Sequence, residues 1–137
     1  MDVSVGAATC AVAGAQAEWL KEVLAARRNK QFVFAGYHYP AYGTTKAAKE
    51  ETPLDKPVSI EIQQHWMPNW EKYGVPAVFE NDHHNYKRTY RPRGDKRDDA
   101  NGIMYLGDGA WAVETRTVPA LGTAWWLEKA EGRNHVW

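Results

Sequence analysis

Imidazole and carboxylate side chains follow two short apolar segments of this sequence. His38 comes after residues 32–36, and residues 82–84 (Asp-His-His) come after residues 75–79. Short apolar runs between polar residues are typical of buried strands. Imidazoles and carboxylates are groups that bind Zn, Fe and Mn ions in proteins. If the two strands are neighbours in one sheet, both groups lie at the same edge and can share one metal site.

Helices and strands alternate around these groups. Residues 16–28 carry apolar side chains along one stripe, which predicts an amphipathic helix, and a strand over 31–37 follows after a short turn. Residues 58–73 have aromatic side chains at helical spacing, with a bend at Pro68, and lead into a second strand over 75–80. A helix between two strands predicts a right-handed crossover and a parallel strand pair.

The other segments are more polar. Residues 41–57 have no periodicity and predict a surface loop beside the metal-type residues. Residues 87–100 mix basic and acidic side chains, including Lys87, and predict a solvated loop or hairpin. Residues 102–106 and 123–130 predict further strands of the sheet.

Seven tryptophans occur in this chain of 137 residues. Four of them fall at predicted helix or strand positions, which favours core packing for most of this set: Trp66, Trp70, Trp125 and Trp126. Trp111 follows a glycine turn instead. We predict that its ring is exposed near a pocket.

Several short motifs occur in an order that resembles a known family. They are GYHYP at residues 36–40, EKYGV at 71–75, NDHHNYKR at 81–88 and GIMYLGDGAW at 102–111. Together they resemble the C-terminal half of the calcineurin-like metallophosphoesterases, particularly the branch that includes the purple acid phosphatases. The resemblance extends over residues 16–137, and several motifs in the right order are more specific than any one of them.

This resemblance implies an α/β fold, namely part of a metallophosphoesterase sandwich with a mixed β-sheet and flanking helices. It implies a phosphoester substrate and divalent or mixed-valence Fe, Zn or Mn ions. The ligands that it implies are His38, Asp82 and His84. Tyr39 and Arg88 are implied to line the substrate pocket or to support the ligands.

The chain departs from the family pattern in two ways. The family's first half, which brings its own metal ligands, has no counterpart before the matching region. We therefore expect residues 1–137 to be one domain, the C-terminal part of a larger metal-binding domain, with little or no hydrolysis on its own. In addition, Asp82 stands at the family's first histidine and His83 at its variable position, so either of them is a candidate ligand or a support for a ligand. Along an extended backbone these two side chains point to opposite faces, so we do not expect both to bind one ion.

Two alternatives remain open from the sequence. The chain can be a non-catalytic module that packs an exposed sheet edge on a second copy, or on a complementing N-terminal half. It can also be a mononuclear metal-binding protein that uses His38, His84 and either Asp82 or His83.

Charge and hydropathy exclude some partners. Seventeen basic and seventeen acidic residues give a formal net charge of zero, which removes a general electrostatic reason to bind nucleic acid or an anionic membrane. No apolar run approaches the roughly 20 residues needed to span a bilayer. We therefore expect neither nucleic acid nor a membrane as a partner.

Overall fold

A computed structural model describes residues 12–44, 57–107, 109–118, 122 and 124–136. In chain order the elements are α1 (Ala15–Ala26), β1 (Ala35–Gly36), α2 (Pro57–His65), α3 (Met67–Lys72), β2 (Ala77–Glu80), β3 (Tyr86–Thr89), β4 (Pro92–Arg93), β5 (Lys96–Arg97), β6 (Met104–Gly107) and β7 (Leu127–Glu131). The fold class is α/β, as predicted. No helix among the described residues is both long and apolar enough to cross a bilayer.

Five strands form one mixed sheet in the order β1-β2-β6-β3-β7. The strands β1, β2 and β6 are parallel, whereas β3 is antiparallel to both β6 and β7. The predicted parallel pairing of the first two strands is therefore confirmed. Because β1, β2 and β6 run in the same direction, their carboxyl ends at Gly36, Glu80 and Gly107 lie at one edge of the sheet.

The two faces of the sheet differ. Side chains alternate between them, and Val78 and Tyr105 are buried in the same core cluster as Trp70 of α3. On the opposite face Phe79 and Leu106 are neighbours in register and only half-buried. Parallel strands in proteins are almost always covered on both faces. Because Phe79 and Leu106 are only half-buried, the second face of this sheet lacks the usual cover among the described residues.

The helical segment between the first two predicted strands is interrupted near the predicted position. Helix α2 ends at His65, α3 begins at Met67, and Pro68 lies in the first turn of α3, where its missing N–H costs nothing. Gly74 has φ +67° and ends α3 in the left-handed region that favours glycine.

Three predicted segments differ from the structure. Only Ala35–Gly36 of the predicted strand 31–37 is a strand, because this segment lies at the sheet edge and its aromatic side chains at Phe32 and Phe34 are exposed. Residues 41–44 are buried instead of forming the start of a surface loop, while residues 45–56 lie outside the described part. The last predicted strand begins only at Leu127, after a turn.

The structure also decides two further sequence predictions. Trp66, Trp70 and Trp126 are buried as predicted, but Trp125 is 40% exposed because it lies in the turn before β7. The predicted loop or hairpin over 87–100 is β3 followed by the β4–β5 hairpin.

Candidate functional site

Two of the predicted ligands meet at the carboxyl edge of the parallel strands. His38 lies two residues beyond β1 and Asp82 lies two residues beyond β2. His38 Nε2 is 3.6 Å from Asp82 Oδ1. The His38 side chain is 52% exposed and the Asp82 side chain is 10% exposed, so the imidazole faces solvent with the carboxylate behind it.

Hydrogen bonds beyond the strand ends hold these two residues together. The Tyr37 N–H donates to Phe79 O at 3.0 Å, and the Asn81 N–H donates to His38 O at 3.0 Å. The Asn81 side-chain amide also donates to Tyr37 O at 2.8 Å. The segments after β1 and β2 therefore continue to pair, and this pairing brings His38 against Asp82.

The loop after β2 has an unusual backbone. Asp82 has φ 75° and His84 has φ 54°, which is the left-handed region. Non-glycine residues adopt this region rarely, although Asp and His do so more often than most, and such strain concentrates at functional sites. An extended loop would have put Asp82 and His83 on opposite faces, as the sequence predicted. That prediction is wrong because the loop is not extended: His83 Nε2 lies 3.9 Å from Asp82 Oδ2.

His83 is a buried support for this loop. Its side chain is 1% exposed, and its Nδ1 accepts a hydrogen bond from the Thr44 N–H at 2.8 Å. A backbone N–H can only donate, so a neutral His83 carries its proton on Nε2, the atom that faces Asp82. A Cβ on Gly43 would lie 2.6 Å from His83 Cε1, so this glycine leaves the space that the ring fills.

The predicted metal ligands do not form a complete set. Within the described ranges, no group of three or more His, Cys, Asp or Glu side chains could hold a metal ion. His38 and Asp82 form a pair, and His84 does not join them in a group of three that could hold a metal ion. Zn, Fe and Mn need about four to six ligands. The donor set of the described residues therefore does not fit such an ion without further ligands.

The two predicted substrate-binding residues have different surroundings. The Tyr39 ring meets the His38 ring edge-on, with centroids 4.9 Å apart. Arg88 lies on β3, where its Nε donates to Glu128 Oε2 at 2.7 Å. Tyr39 thus lies beside the candidate site, while the guanidinium of Arg88 is engaged by a carboxylate of β7. The substrate role of both residues stays a prediction.

A buried ion pair supports the candidate site from inside the sheet. Lys87 and Glu80 are both fully buried and form a salt bridge, so the prediction that Lys87 lies in a solvated loop is wrong. The register places both residues opposite Gly107 of the strand between them, and that residue has no side chain to separate them. Alternation along β2 gives the signal that could have revealed this pair, because it puts Glu80 on the same face as buried Val78.

This ion pair also binds the segment that carries His38. Glu80 accepts hydrogen bonds from the Tyr37 hydroxyl and, at 2.7 Å, from the Ala41 N–H. Lys87 Nζ donates to Tyr42 O at 2.6 Å. The contacts on either side of His38 fix the path of the backbone between β1 and the buried residues 41–44.

The tyrosines of this region are held in their protonated form. Burial raises the pKa of Tyr37 well above its usual value of 10.0, and the nearby Glu80 carboxylate raises it further. Burial, followed by the same carboxylate, raises the pKa of Tyr42 as well. The Tyr37 phenol therefore keeps its proton and remains a hydrogen-bond donor to Glu80.

A small cavity lies next to the candidate site. It has a volume of about 190 Å³, and Trp111, Asn81 and His135 are among its lining residues. Trp111 is 76% exposed, which confirms the predicted exposed ring beside a pocket. Asn81 connects the cavity to the site because it immediately precedes Asp82.

Comparisons with known proteins identify the fold. No known protein-family profile matches the chain, and no curated protein sequence matches it. A purple acid phosphatase from yellow lupin (Lupinus luteus) seeds has a similar structure, with a TM-score of 0.68 over 88% of this chain and 17% sequence identity. The chain spans 23% of the length of that protein. The structure therefore has a phosphoesterase-like fold, distantly similar to that of a purple acid phosphatase.

Proposed function

We propose that this chain supplies one side of a metal-dependent centre that hydrolyses phosphoesters. The observation that carries the proposal is the His38–Asp82 pair, with 3.6 Å between Nε2 and Oδ1, at the carboxyl edge of parallel strands. Ligands of α/β sheets bind outside this edge. The similarity of the fold to that of a purple acid phosphatase supports the choice of reaction.

Different described residues would have different roles in such a centre. The exposed imidazole of His38 is available to a ligand, and Asp82 stands behind it with its carboxylate beside His83. The Tyr39 ring lies against His38, and Trp111 lines the small cavity together with Asn81, so both rings would limit the shape of a substrate. Because the described residues supply an incomplete donor set, the proposal requires further metal ligands from outside them, such as a complementing N-terminal half. We therefore expect the chain alone to hydrolyse phosphoesters little or not at all.

Co-production with a complementing half tests this proposal. The partner would be an N-terminal metallophosphoesterase half, which brings the family's other metal ligands, and the assay would follow p-nitrophenyl phosphate hydrolysis. We expect turnover only from the combination, with a loss of at least tenfold in His38→Ala. The matched control is His65→Ala, an exposed histidine at the end of α2, which should leave turnover unchanged. Turnover that His38→Ala does not reduce would contradict the proposal.

A second candidate function is non-catalytic self-association through the uncovered sheet face. Phe32 and Phe34 are 64% and 56% exposed, and their rings stack with centroids 6.3 Å apart. Phe34 also contacts Phe79 edge-on, so this aromatic surface continues onto the half-buried side of β2. An apolar area of this kind on parallel strands favours contact with a second copy of the chain.

Sedimentation velocity distinguishes this candidate from the first. Self-association predicts a concentration-dependent dimer that Phe34→Asn weakens. Ile60→Asn removes a 36%-exposed apolar side chain from α2 and should leave the dimer intact. A chain that remains monomeric at all concentrations would exclude the self-association function and leave the phosphoesterase proposal untouched.

A further inference from the structure

Arg116 contacts the loop that follows β2 through two hydrogen bonds. The Arg116 N–H donates to His84 O at 3.0 Å, and its guanidinium Nη1 donates to Asp82 O at 3.1 Å. Asp82 and His84 are the two residues of this loop whose φ is positive. One residue from a distant part of the sequence therefore binds the backbone carbonyl of each left-handed residue.

The left-handed conformation of the loop depends on such contacts. Non-glycine residues in this region are strained and stay there only where the surroundings hold them. The His83 N–H donates to Asn81 O at 3.0 Å, and the His83 ring accepts a hydrogen bond from the Thr44 N–H. These contacts hold His83, whereas the Arg116 bonds hold the residues on either side of it. Loss of the Arg116 side chain should therefore release the backbone at Asp82.

The position of Arg116 is fixed by contacts near the end of β7. Thr115 Oγ1 donates to Gly132 O at 3.2 Å. A Cβ on Gly132 would lie 2.7 Å from Arg116 O, so the glycine leaves room for this close approach. The Arg116 side chain is partly buried, and a charged donor forms a stronger hydrogen bond than a neutral one. The guanidinium therefore connects the end of β7 to the candidate site.

We propose that Arg116 is a positioning residue of the candidate site. By binding the Asp82 carbonyl, it keeps the Asp82 carboxylate beside His38, with 3.6 Å between Oδ1 and Nε2. Arg116 acts through the loop and not through contact with a substrate. Its role in hydrolysis rests on the proposed phosphoesterase function, whereas its effect on the loop can be measured in the chain without metal or substrate.

Nuclear magnetic resonance of the metal-free chain tests this inference. Arg116→Met removes the charged donor but keeps the backbone N–H and most of the side-chain length. It should shift the backbone resonances of residues 82–84 and the ring resonances of His38. Hydrogen exchange of the His83 N–H should become at least about tenfold faster, the usual effect of losing one hydrogen bond to a charged group. The Tyr105 N–H, which is hydrogen-bonded inside the sheet, should change far less. Arg116→Lys keeps a charged donor and should restore most of the protection.

Arg93→Met is the matched control, because Arg93 is an exposed arginine on β4. It should leave the loop and His38 unchanged. The inference is overturned if Arg116→Met leaves the His38 and loop resonances unchanged, if exchange of the His83 and Tyr105 N–H groups accelerates equally, or if the two arginine substitutions have equal effects.

Turnover of p-nitrophenyl phosphate by the chain combined with an N-terminal half separates this inference from the proposed function. Arg116→Met should lower kcat roughly tenfold to a hundredfold, because a displaced reacting group slows the chemical step, and should leave KM nearly unchanged. Arg116→Lys should recover part of the loss. No turnover from the unaltered combination would contradict the proposed function, while the loop measurements would still decide the role of Arg116. An active combination whose kcat is the same in Arg116→Met would overturn that role.

Discussion

Two clusters of ionisable side chains near the end of β2 differ in their exposure to solvent. Glu80 and Lys87 are fully buried, and their polar atoms bind each other and the backbone of residues 41–42. His38 and Asp82 lie at the sheet edge, two residues beyond the ends of β1 and β2, and the His38 side chain is 52% exposed. The inner cluster is complete within the chain, whereas the edge cluster is available to a ligand. We therefore infer a structural role for the inner cluster and a candidate functional role for the edge cluster.

Removing the cation of the inner cluster should have the largest effect. Lys87→Met leaves Glu80 as an uncompensated buried charge, which we expect to lower the free energy of unfolding by about 3–5 kcal/mol. Urea unfolding followed by circular dichroism measures this change. The double variant Glu80→Met, Lys87→Met should recover much of the loss, because no unpaired charge remains.

A surface ion pair provides the control for this substitution. Arg88 is the next residue along β3, and its contact with Glu128 is partly exposed. Arg88→Ala should cost about 1 kcal/mol or less. Equal losses in Lys87→Met and Arg88→Ala would contradict the structural role of the inner cluster.

A methyl group at Gly43 should disturb the link between the two clusters. Its Cβ would lie 2.6 Å from His83 Cε1, and His83 lies beside Asp82. We expect Gly43→Ala to destabilise the fold by about 1–3 kcal/mol, as overpacking of a core does. Gly36→Ala is the matched control because nothing lies within 4 Å of its Cβ position, and denaturation midpoints of the two variants should differ clearly. A neutral Gly43→Ala would show that the His83 ring moves freely.

Alkaline pH should also destabilise the inner cluster, and this loss should develop gradually as the pH rises. Burial and Glu80 raise the pKa of Tyr37 above 10.0, so the folded chain keeps a proton that the unfolded chain releases. Stability is therefore constant below about pH 10 and falls as the pH rises further, by up to about 1.4 kcal/mol per pH unit for this group. Thermal unfolding between about pH 8 and 11 should show the loss, and Tyr37→Phe should reduce its slope. Tyr73→Phe, a half-buried tyrosine outside the network, should not.

The sequence predicted the parallel part of the fold well, because hydrophobic periodicity and the residues that end helices and strands indicate the same elements there. Helix α1, the break before Pro68 and the strand before Asn81 all follow from local patterns. The antiparallel strand β3 was not predicted, since its alternation of buried Lys87 and Thr89 with more exposed residues reads as a polar segment. Only the tertiary pairing with Glu80 makes a buried lysine favourable.

The sequence predicted which residues lie at the candidate site but not how they are arranged. The position of His38 and Asp82 after neighbouring strands follows from the sequence pattern. The left-handed backbone at Asp82 and His84 does not, because such conformations depend on the surrounding contacts. For the same reason, no sequence pattern predicts that His83 is buried against Thr44.

Zinc binding at the sheet edge is the most direct test of this account. Equilibrium dialysis with elemental analysis by mass spectrometry would compare the chain with His38→Ala, Asp82→Asn and His84→Ala, with His65→Ala as the control. We predict weak, saturable zinc binding that the first two substitutions abolish and that His65→Ala does not change. Zinc binding that survives both His38→Ala and Asp82→Asn would contradict the proposal that this edge is one side of a metal centre.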